Sequence, residues 1–299
     1  MTGASGFVGR WMEAHLVAAG DDVVCLPGDV DIRDRDALGA AVATAAPDAV
    51  CHLAAQASVR ASWDDAGATF GVNTLGTVHL LDAVARLAAP TRVLLVSSAE
   101  VYGAVAGDAL PIGETEPFRP ANPYAASKAA AELAGLQAWL GRGAWVVRAR
   151  PFNHTGPGQA PDFVVPALAR QIVEAAAAGA PRLLVGNVSV RRDLTDVRDV
   201  VRAYRLLLER GEPGEAYNVC SGESVAIADL VTRLLRLAGQ EGMPVEVDPS
   251  RLRPADVPDL RGDNTRLRAA TGWRPEIDLD RTLGDVLAYW RQRQASPGA

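Results

Sequence analysis

A tyrosine and a lysine stand four residues apart in Tyr124-Ala125-Ala126-Ser127-Lys128, which puts them on one face of a helix. A phenol ordinarily titrates near pH ~10, and a neighbouring ammonium favours its charged form and lowers that value. Such a pair can pass a proton to or from a hydroxyl or carbonyl oxygen near neutral pH. Lys128 is the only lysine in a chain that otherwise carries arginine. Arginine serves an exposed charge equally well, whereas a compact ammonium reaching both a phenol and a ribose is harder to replace. Ser98 closes the apolar run Val93-Leu94-Leu95-Val96-Ser97-Ser98. A serine there either caps the next turn or hydrogen-bonds a reacting oxygen, and beside Tyr124 and Lys128 the second reading is preferred.

Gly3, Gly6 and Gly9 recur at every third position in Thr2-Gly3-Ala4-Ser5-Gly6-Phe7-Val8-Gly9. Such a turn brings backbone N–H groups against a pyrophosphate at a helix N-terminus. A plain strand-to-helix turn has the same composition, so the spacing alone leaves both open. The motif should follow a buried strand of ~5–6 residues, yet only Met1 and Thr2 precede it. The expectation is a first strand missing or truncated, with the natural chain starting upstream. An acid normally ends the second strand to bind the adenosine ribose. Here Pro27-Gly28 follows Leu26 instead, and Asp29 is as much a turn residue as a ligand. Asp31 and Ile32 either border an adenine or prepare the helix that begins near Asp36.

The elements that must hold these residues alternate. Short apolar runs at Asp22–Leu26, Ala49–Leu53, Arg92–Ser97 and Ala144–Ala149 read as strands. Helical stretches at Phe7–Ala19, Asp36–Ala45, Phe70–Leu87 and Tyr124–Leu140 separate them. Continuous apolar strands with helical crossovers predict an α/β fold whose parallel sheet is covered on both faces. Pro151–Gly158 and Pro244–Gly262 are rich in turn residues and read as loops. Beyond residue 152 short strands and helices mix, as in a smaller second lobe.

The 299 residues carry a net charge of −6, with 48% apolar and 22% charged residues, an ordinary globular balance. That charge gives no global basic field for nucleic acid or an anionic membrane. Cys25, Cys51 and Cys220 are too few and scattered for a disulfide framework or a zinc site. They read as packing residues of a reducing cytoplasm, and no metal is expected. No apolar run reaches the ~18 residues of a membrane span.

Five stretches together resemble the extended short-chain dehydrogenase/reductases that act on nucleotide sugars. They are Thr2–Gly9, His52-Leu53-Ala54-Ala55-Gln56, Asn73-Thr74-Leu75-Gly76-Thr77, Ser97–Gly103 and Tyr124–Lys128. The resemblance implies a Rossmann-type doubly wound sheet with an interleaved substrate lobe. It divides the chain into a dinucleotide-binding domain at 1–152 plus 189–219 and a nucleotide-sugar lobe at 153–188 plus 220–299. It implies NADP or NAD held by Gly3, Ser5, Gly6, Phe7, Val8, Gly9, Asp31, Ile32, Leu53, Ala54, Ala55, Gln56, Asn73, Ser97 and Pro151, with Tyr124 and Lys128. Ser98, Tyr124 and Lys128 match the family's catalytic positions. Arg150-Pro151-Phe152-Asn153-His154-Thr155-Gly156-Pro157-Gly158-Gln159 resembles the reductases of GDP-4-dehydro-6-deoxy-D-mannose more than the related dehydratases. Further matches assign Asn153, His154, Val164, Val165, Arg192 and Arg253 to substrate. Glu100 matches the base of sugar-nucleotide 4,6-dehydratases, though Ala99 stands where some of those enzymes carry Asp. The expected reaction is hydride transfer to the carbon-4 ketone, giving GDP-D-rhamnose. A GDP-mannose 4,6-dehydratase using Glu100, a 4-epimerase and a dinucleotide-binding sensor are the alternatives. A homodimer through the helices Phe70–Leu87 and Tyr124–Leu140 is also expected.

Overall fold

The computed structural model describes residues 1–179, 182–251 and 257–295. The strands in chain order are β1 (Ala49–His52), β2 (Arg92–Val96), β3 (Val146–Pro151), β4 (Asn153–Thr155), β5 (Leu183–Val185), β6 (Arg191–Asp196), β7 (Ala216–Val219), β8 (Ser224–Ala226), β9 (Val245–Val247) and β10 (Asp259–Leu260). The main sheet runs β1-β2-β3-β7 and is parallel throughout, with Val50 opposite Val93, Leu94 opposite Val147 and Ala149 opposite Tyr217. Successive side chains of a strand face opposite ways. Leu94 therefore packs with Met12, Val200 and Tyr204 on one face, while Val93 and Leu95 pack with Leu38, Leu80 and Val84 on the other. Helices cover both faces, which is the wound α/β architecture the sequence predicts.

The expected strand Asp22–Leu26 is extended chain rather than a regular strand. Met1 and Thr2 lie between it and β1. Thr2 donates to Cys51 O at 3.1 Å and accepts from Leu53 N–H at 3.3 Å, and Leu26 donates to Met1 O at 2.8 Å. A ladder cannot extend past its partner, and here the partner is two residues long. The expected helix Phe70–Leu87 is also different. It starts at Ala66, widens into a π turn over Gly71–Leu75 and resumes at Gly76–Val84. The Gly76 end of that turn is held close to Ile32, whose Cδ1 would meet a Cβ at Gly76 at 2.6 Å.

The helix carrying Tyr124 and Lys128 spans Pro123–Arg142. Asn122 caps it, its side chain accepting from Ala125 N–H at 2.8 Å, and Pro123 sits where a missing N–H costs nothing. Gly143 ends it at φ 69°, a conformation that favours glycine. A second sheet is built on β6, which lies within the expected dinucleotide segment 189–219 yet pairs with β4 and β10 in parallel and with β8 antiparallel. Its core joins the helices Val164–Ala178, Ile227–Ala238 and Leu279–Ala295 through Ile172, Leu230, Leu234 and Leu283.

Candidate active site

The glycine turn is as tight as its spacing implies. Gly3 has φ 71°, and a Cβ there would meet Ala54 N at 2.6 Å. A Cβ on Gly9 would meet Gly3 O at 2.0 Å. Helix and β1 can approach this closely only without side chains, and the turn is closed by Gly6 N–H donating to Gly3 O at 3.1 Å. The Phe7–Ala18 helix starts directly behind it, with no acid in its first turn to occupy the positive end. Around this turn Ser97 Oγ and Gln56 Oε1 are buried with no hydrogen-bond partner. A cradle that a Cβ would fill, a bare helix N-terminus and two unfilled polar atoms fit a dinucleotide.

Three residues expected near the dinucleotide have protein partners of their own. Asp31 is tied bidentately to the Arg33 guanidinium, which holds its carboxyl at about 2. Asp34, rather than Asp31, caps the next helix by accepting from Asp36 and Ala37 N–H. Ile32 is buried against the Gly76–Val84 helix. The Asn73 side chain is fully engaged with protein: it accepts from Gln56 N–H at 2.8 Å and donates to Gln56 O and Ser127 Oγ. Asn73 thus shapes the Leu53–Gln56 segment from behind.

Ser98 and Tyr124 meet at the C-terminal end of β2. Ser98 opens a 3₁₀ turn, Ala99–Tyr102, and its Oγ accepts from Glu100 N–H at 3.2 Å. Burial pushes the Tyr124 phenol up to about 12; the nearby Ser98 hydroxyl opposes this, and the Glu100 charge adds to it. The sequence expectation that Lys128 lowers this phenol is therefore corrected. Lys128 Nζ donates to Val96 O at 2.6 Å instead, and burial pulls the lysine down to about 8. Depth of burial decides both signs, because each charged form loses its water. Glu100 does reach the site, its Oε2 accepting from Asn122 Nδ2 at 3.3 Å.

The loop that follows β3 is clasped to the glycine-turn helix. His154 stacks on Phe7 with ring centroids 6.4 Å apart and planes 6° from parallel. Trp11 Nε1 donates to Pro157 O at 3.1 Å, and Arg10 bridges Ser5 O and Gly158 O. Gln159 braces the loop from inside, accepting from Thr155 Oγ1 and donating to His154 O. Asn153 Oδ1 is buried and unpartnered, so it keeps an acceptor for a ligand. Val164 is half exposed at the start of its helix, whereas Val165 is turned into the lobe core. Arg192 donates to Val257 O at 2.7 Å. Arg253 lies outside the described residues.

A family model described as GDP-mannose 4,6 dehydratase matches residues 27–286. The chain belongs to that family. It is 43% identical over 296 residues to the GDP-6-deoxy-D-mannose reductase of Pseudomonas aeruginosa, covering 98% of this chain and 97% of that protein. It is 28% identical over 288 residues to the GDP-mannose 4,6-dehydratase of Yersinia enterocolitica, covering 86% of this chain and 77% of that one. Among solved structures, RMD from Pseudomonas aeruginosa complexed with NADPH superposes with a TM-score of 0.90 at 42% identity, covering 97% of each chain.

Some residues escaped the sequence reading. Asn122, cap of the Pro123–Arg142 helix and partner of Glu100, was signalled by Asn-Pro before a helical run. His52, Thr77 and Ser127 fell within matched stretches but drew no role of their own, since the bonds that join them, Thr2 to His52, His52 to Thr77 and Asn73 to Ser127, span residues distant in sequence.

Proposed function

We propose that this protein reduces the carbon-4 ketone of GDP-4-dehydro-6-deoxy-D-mannose to GDP-D-rhamnose. The carrying observation is the Ser98–Tyr124 pair at the end of β2, beside the glycine turn, in a chain 43% identical to a GDP-6-deoxy-D-mannose reductase along nearly its whole length. NADPH or NADH, when bound, supplies the hydride. Gly3–Gly9 would hold its pyrophosphate, Leu53–Gln56 and Ser97 its flank, and Lys128 the ribose nearest the reacting carbon.

Reduction needs a proton donor at the ketone oxygen, and Tyr124 is kept in its donor form because burial and Glu100 oppose ionisation. Ser98 supports the same oxygen through its hydroxyl. Lys128 keeps a buried positive charge at the strand end, where negative charge develops on that oxygen. Asn153 offers its free acceptor to the sugar, and Arg192 a guanidinium to the pyrophosphate. Ala99 in place of an acid beside Glu100 favours reduction over dehydration.

A second apolar core joins the helices of 153–188 and 220–299, which supports a separate lobe. Val190 and Leu194 belong to that core and Leu267 and Trp273 pack with the main sheet, so the boundaries at 189–219 and within 220–299 are not followed by the packing. Phe70 and Leu75 are exposed on the 66–75 stretch and Leu133 and Leu140 on the Pro123–Arg142 helix, which supports a homodimer through these two elements. Among the described residues no helix is long and apolar enough to cross a membrane. The free thiols Cys25, Cys51 and Cys220 accord with the cytoplasm.

One experiment decides between reduction and dehydration. Incubation with the 4-keto GDP sugar and NADPH or NADH should oxidise one nucleotide per GDP-deoxyhexose formed. Ketone formation from GDP-mannose without added reductant would overturn the reading in favour of the dehydratase.

A further inference from the structure

A continuous chain of buried hydrogen bonds runs behind the site from the glycine turn to the catalytic helix. Thr2, the residue before Gly3, contacts His52 Nδ1 through its Oγ1 at 2.8 Å and accepts from Ala54 N–H at 3.1 Å. His52 Nε2 lies 3.0 Å from Thr77 Oγ1, and Thr77 Oγ1 donates to Asn73 O at 2.7 Å. Asn73 Nδ2 donates to Ser127 Oγ at 2.9 Å, and Ser127 Oγ donates to Tyr124 O at 2.7 Å. Thr74 Oγ1 adds a bond to Ser127 O at 2.9 Å.

The protons in this chain have one assignment. Thr77 spends its hydroxyl proton on Asn73 O, so His52 Nε2 must donate to Thr77. His52 Nδ1 is then bare, and the Thr2 hydroxyl donates to it. A neutral imidazole with its proton on Nε2 satisfies every member, and burial together with the nearby Lys128 charge keeps it neutral. The π turn matters here. By widening at Gly71–Leu75 it delivers Asn73 and Thr74 to Ser127 while leaving Thr77 under His52.

Apolar packing already joins these elements through Leu80, Leu95 and Ala138. A polar chain adds little cohesion for its desolvation but defines one relative placement, since any slip leaves buried groups unpaired. We propose that His52, Thr77, Asn73 and Ser127 are positioning residues: their chain fixes the Tyr124–Lys128 turn against the glycine turn that receives the dinucleotide. This rests on the reductase reading for its assay.

The test is Thr77→Val, which keeps the shape and removes the hydroxyl, beside Thr77→Ser, which keeps the hydroxyl. Thr77→Val should lower kcat about 10- to 100-fold, because small misplacements of reacting groups cost that much. The KM for both ligands should stay within about threefold, and Thr77→Ser should recover most of the rate. Ser127→Ala, at the other end, should reproduce the loss, and the double variant should lose little more than the worse single one. If Thr77→Val does not fold, Ser127→Ala with Ser127→Thr as its rescue decides. Native kcat in the hydroxyl-less variants, or losses that multiply, overturns the proposal. A native protein idle on the 4-keto sugar sinks the reductase reading alone. The chain is then judged from phenolate absorbance with NADP⁺ present, referenced to Tyr124→Phe. A Tyr124 titration that shifts in Thr77→Val and returns in Thr77→Ser supports the chain, and an unmoved one overturns it.

Discussion

Two buried polar clusters sit on successive turns of the Pro123–Arg142 helix, and they follow opposite rules. At Glu132, which has no exposed surface, Arg150 binds both carboxylate oxygens through three bonds and Arg148 adds a fourth guanidinium contact at 3.1 Å. Arg150 continues to Tyr102 Oη and Glu114 O and lies over the Tyr102 and Phe118 rings. Tyr102 in turn donates to Asn218 at 2.7 Å. One turn earlier, Lys128 is buried on a backbone carbonyl, and among the described residues no carboxylate lies within ion-pair distance of it. The first cluster pairs each of its two guanidinium groups with the one Glu132 carboxylate, leaving one positive charge in excess, and braces the helix against β3. Burial raises a phenol in both clusters, Tyr102 in the first and Tyr124 in the second, but the second holds its cation on a carbonyl with no carboxylate among the described residues in contact. Compensation marks scaffold, and its absence marks the place where a ligand completes the set.

That contrast can be broken in three ways. Tyr124→Phe removes one hydroxyl from the uncompensated cluster and should reduce kcat by about 1,000-fold or more while leaving the melting temperature nearly unchanged. Steady-state rates and a thermal melt check both halves. A mild loss of rate would make the phenol a bystander.

Glu132→Gln acts on the compensated cluster and strands two buried guanidinium groups. Its expected cost is about 3–5 kcal/mol of stability, read from denaturant unfolding. A cost below about 1 kcal/mol would erase the distinction between the clusters. The same substitution removes the charge that supports the Lys128 ammonium, so the lysine should titrate lower still.

Lys128→Met should abolish turnover yet stabilise the fold. The lysine falls from an ordinary 10.5 to about 8 on folding. The sign follows from linkage: a depressed base contributes full stability above its unfolded value and loses it as pH falls through the folded one. The native chain therefore carries its full handicap below about pH 8 and sheds it between pH 8 and 10.5. Lys128→Met should gain up to about 3 kcal/mol at neutral pH, less the lost bond to Val96 O, and the gain should fade across that window. Melting temperatures from pH 7 to 10 measure it, and a pH-independent difference refutes it.

The reactive cluster was the more legible of the two. Tyr124 and Lys128 stand at helical spacing, Ser98 ends an apolar strand, and Asn122-Pro123 and Gly143 mark the helix ends. Each of these signals is local. The scaffold cluster was silent, because Glu132, Arg148 and Arg150 look like ordinary surface charges until β3 is laid against the helix. The titration of Tyr124 was read with the wrong sign for a related reason: sequence spacing displays a neighbouring charge but hides depth of burial. The π turn at Gly71–Leu75 was missed since one extra residue per turn barely disturbs an apolar pattern. Asp22–Leu26 has strand composition, but a strand needs a neighbour as well as a composition.

The clasp between the glycine-turn helix and the Asn153–Gln159 loop makes the two proposed ligand sites one mechanical unit. Phe7, Arg10 and Trp11 tie to His154, Gly158 and Pro157, so whatever stiffens the turn also narrows the conformations open to the loop. The ordering entropy spent by the first ligand is inherited by the second. Such linkage is reciprocal: each ligand tightens the other by the same factor, and a dead-end pair of oxidised nucleotide and product is tightened as well. With both proposed ligands bound, release would then be the joint departure of two mutually reinforcing guests.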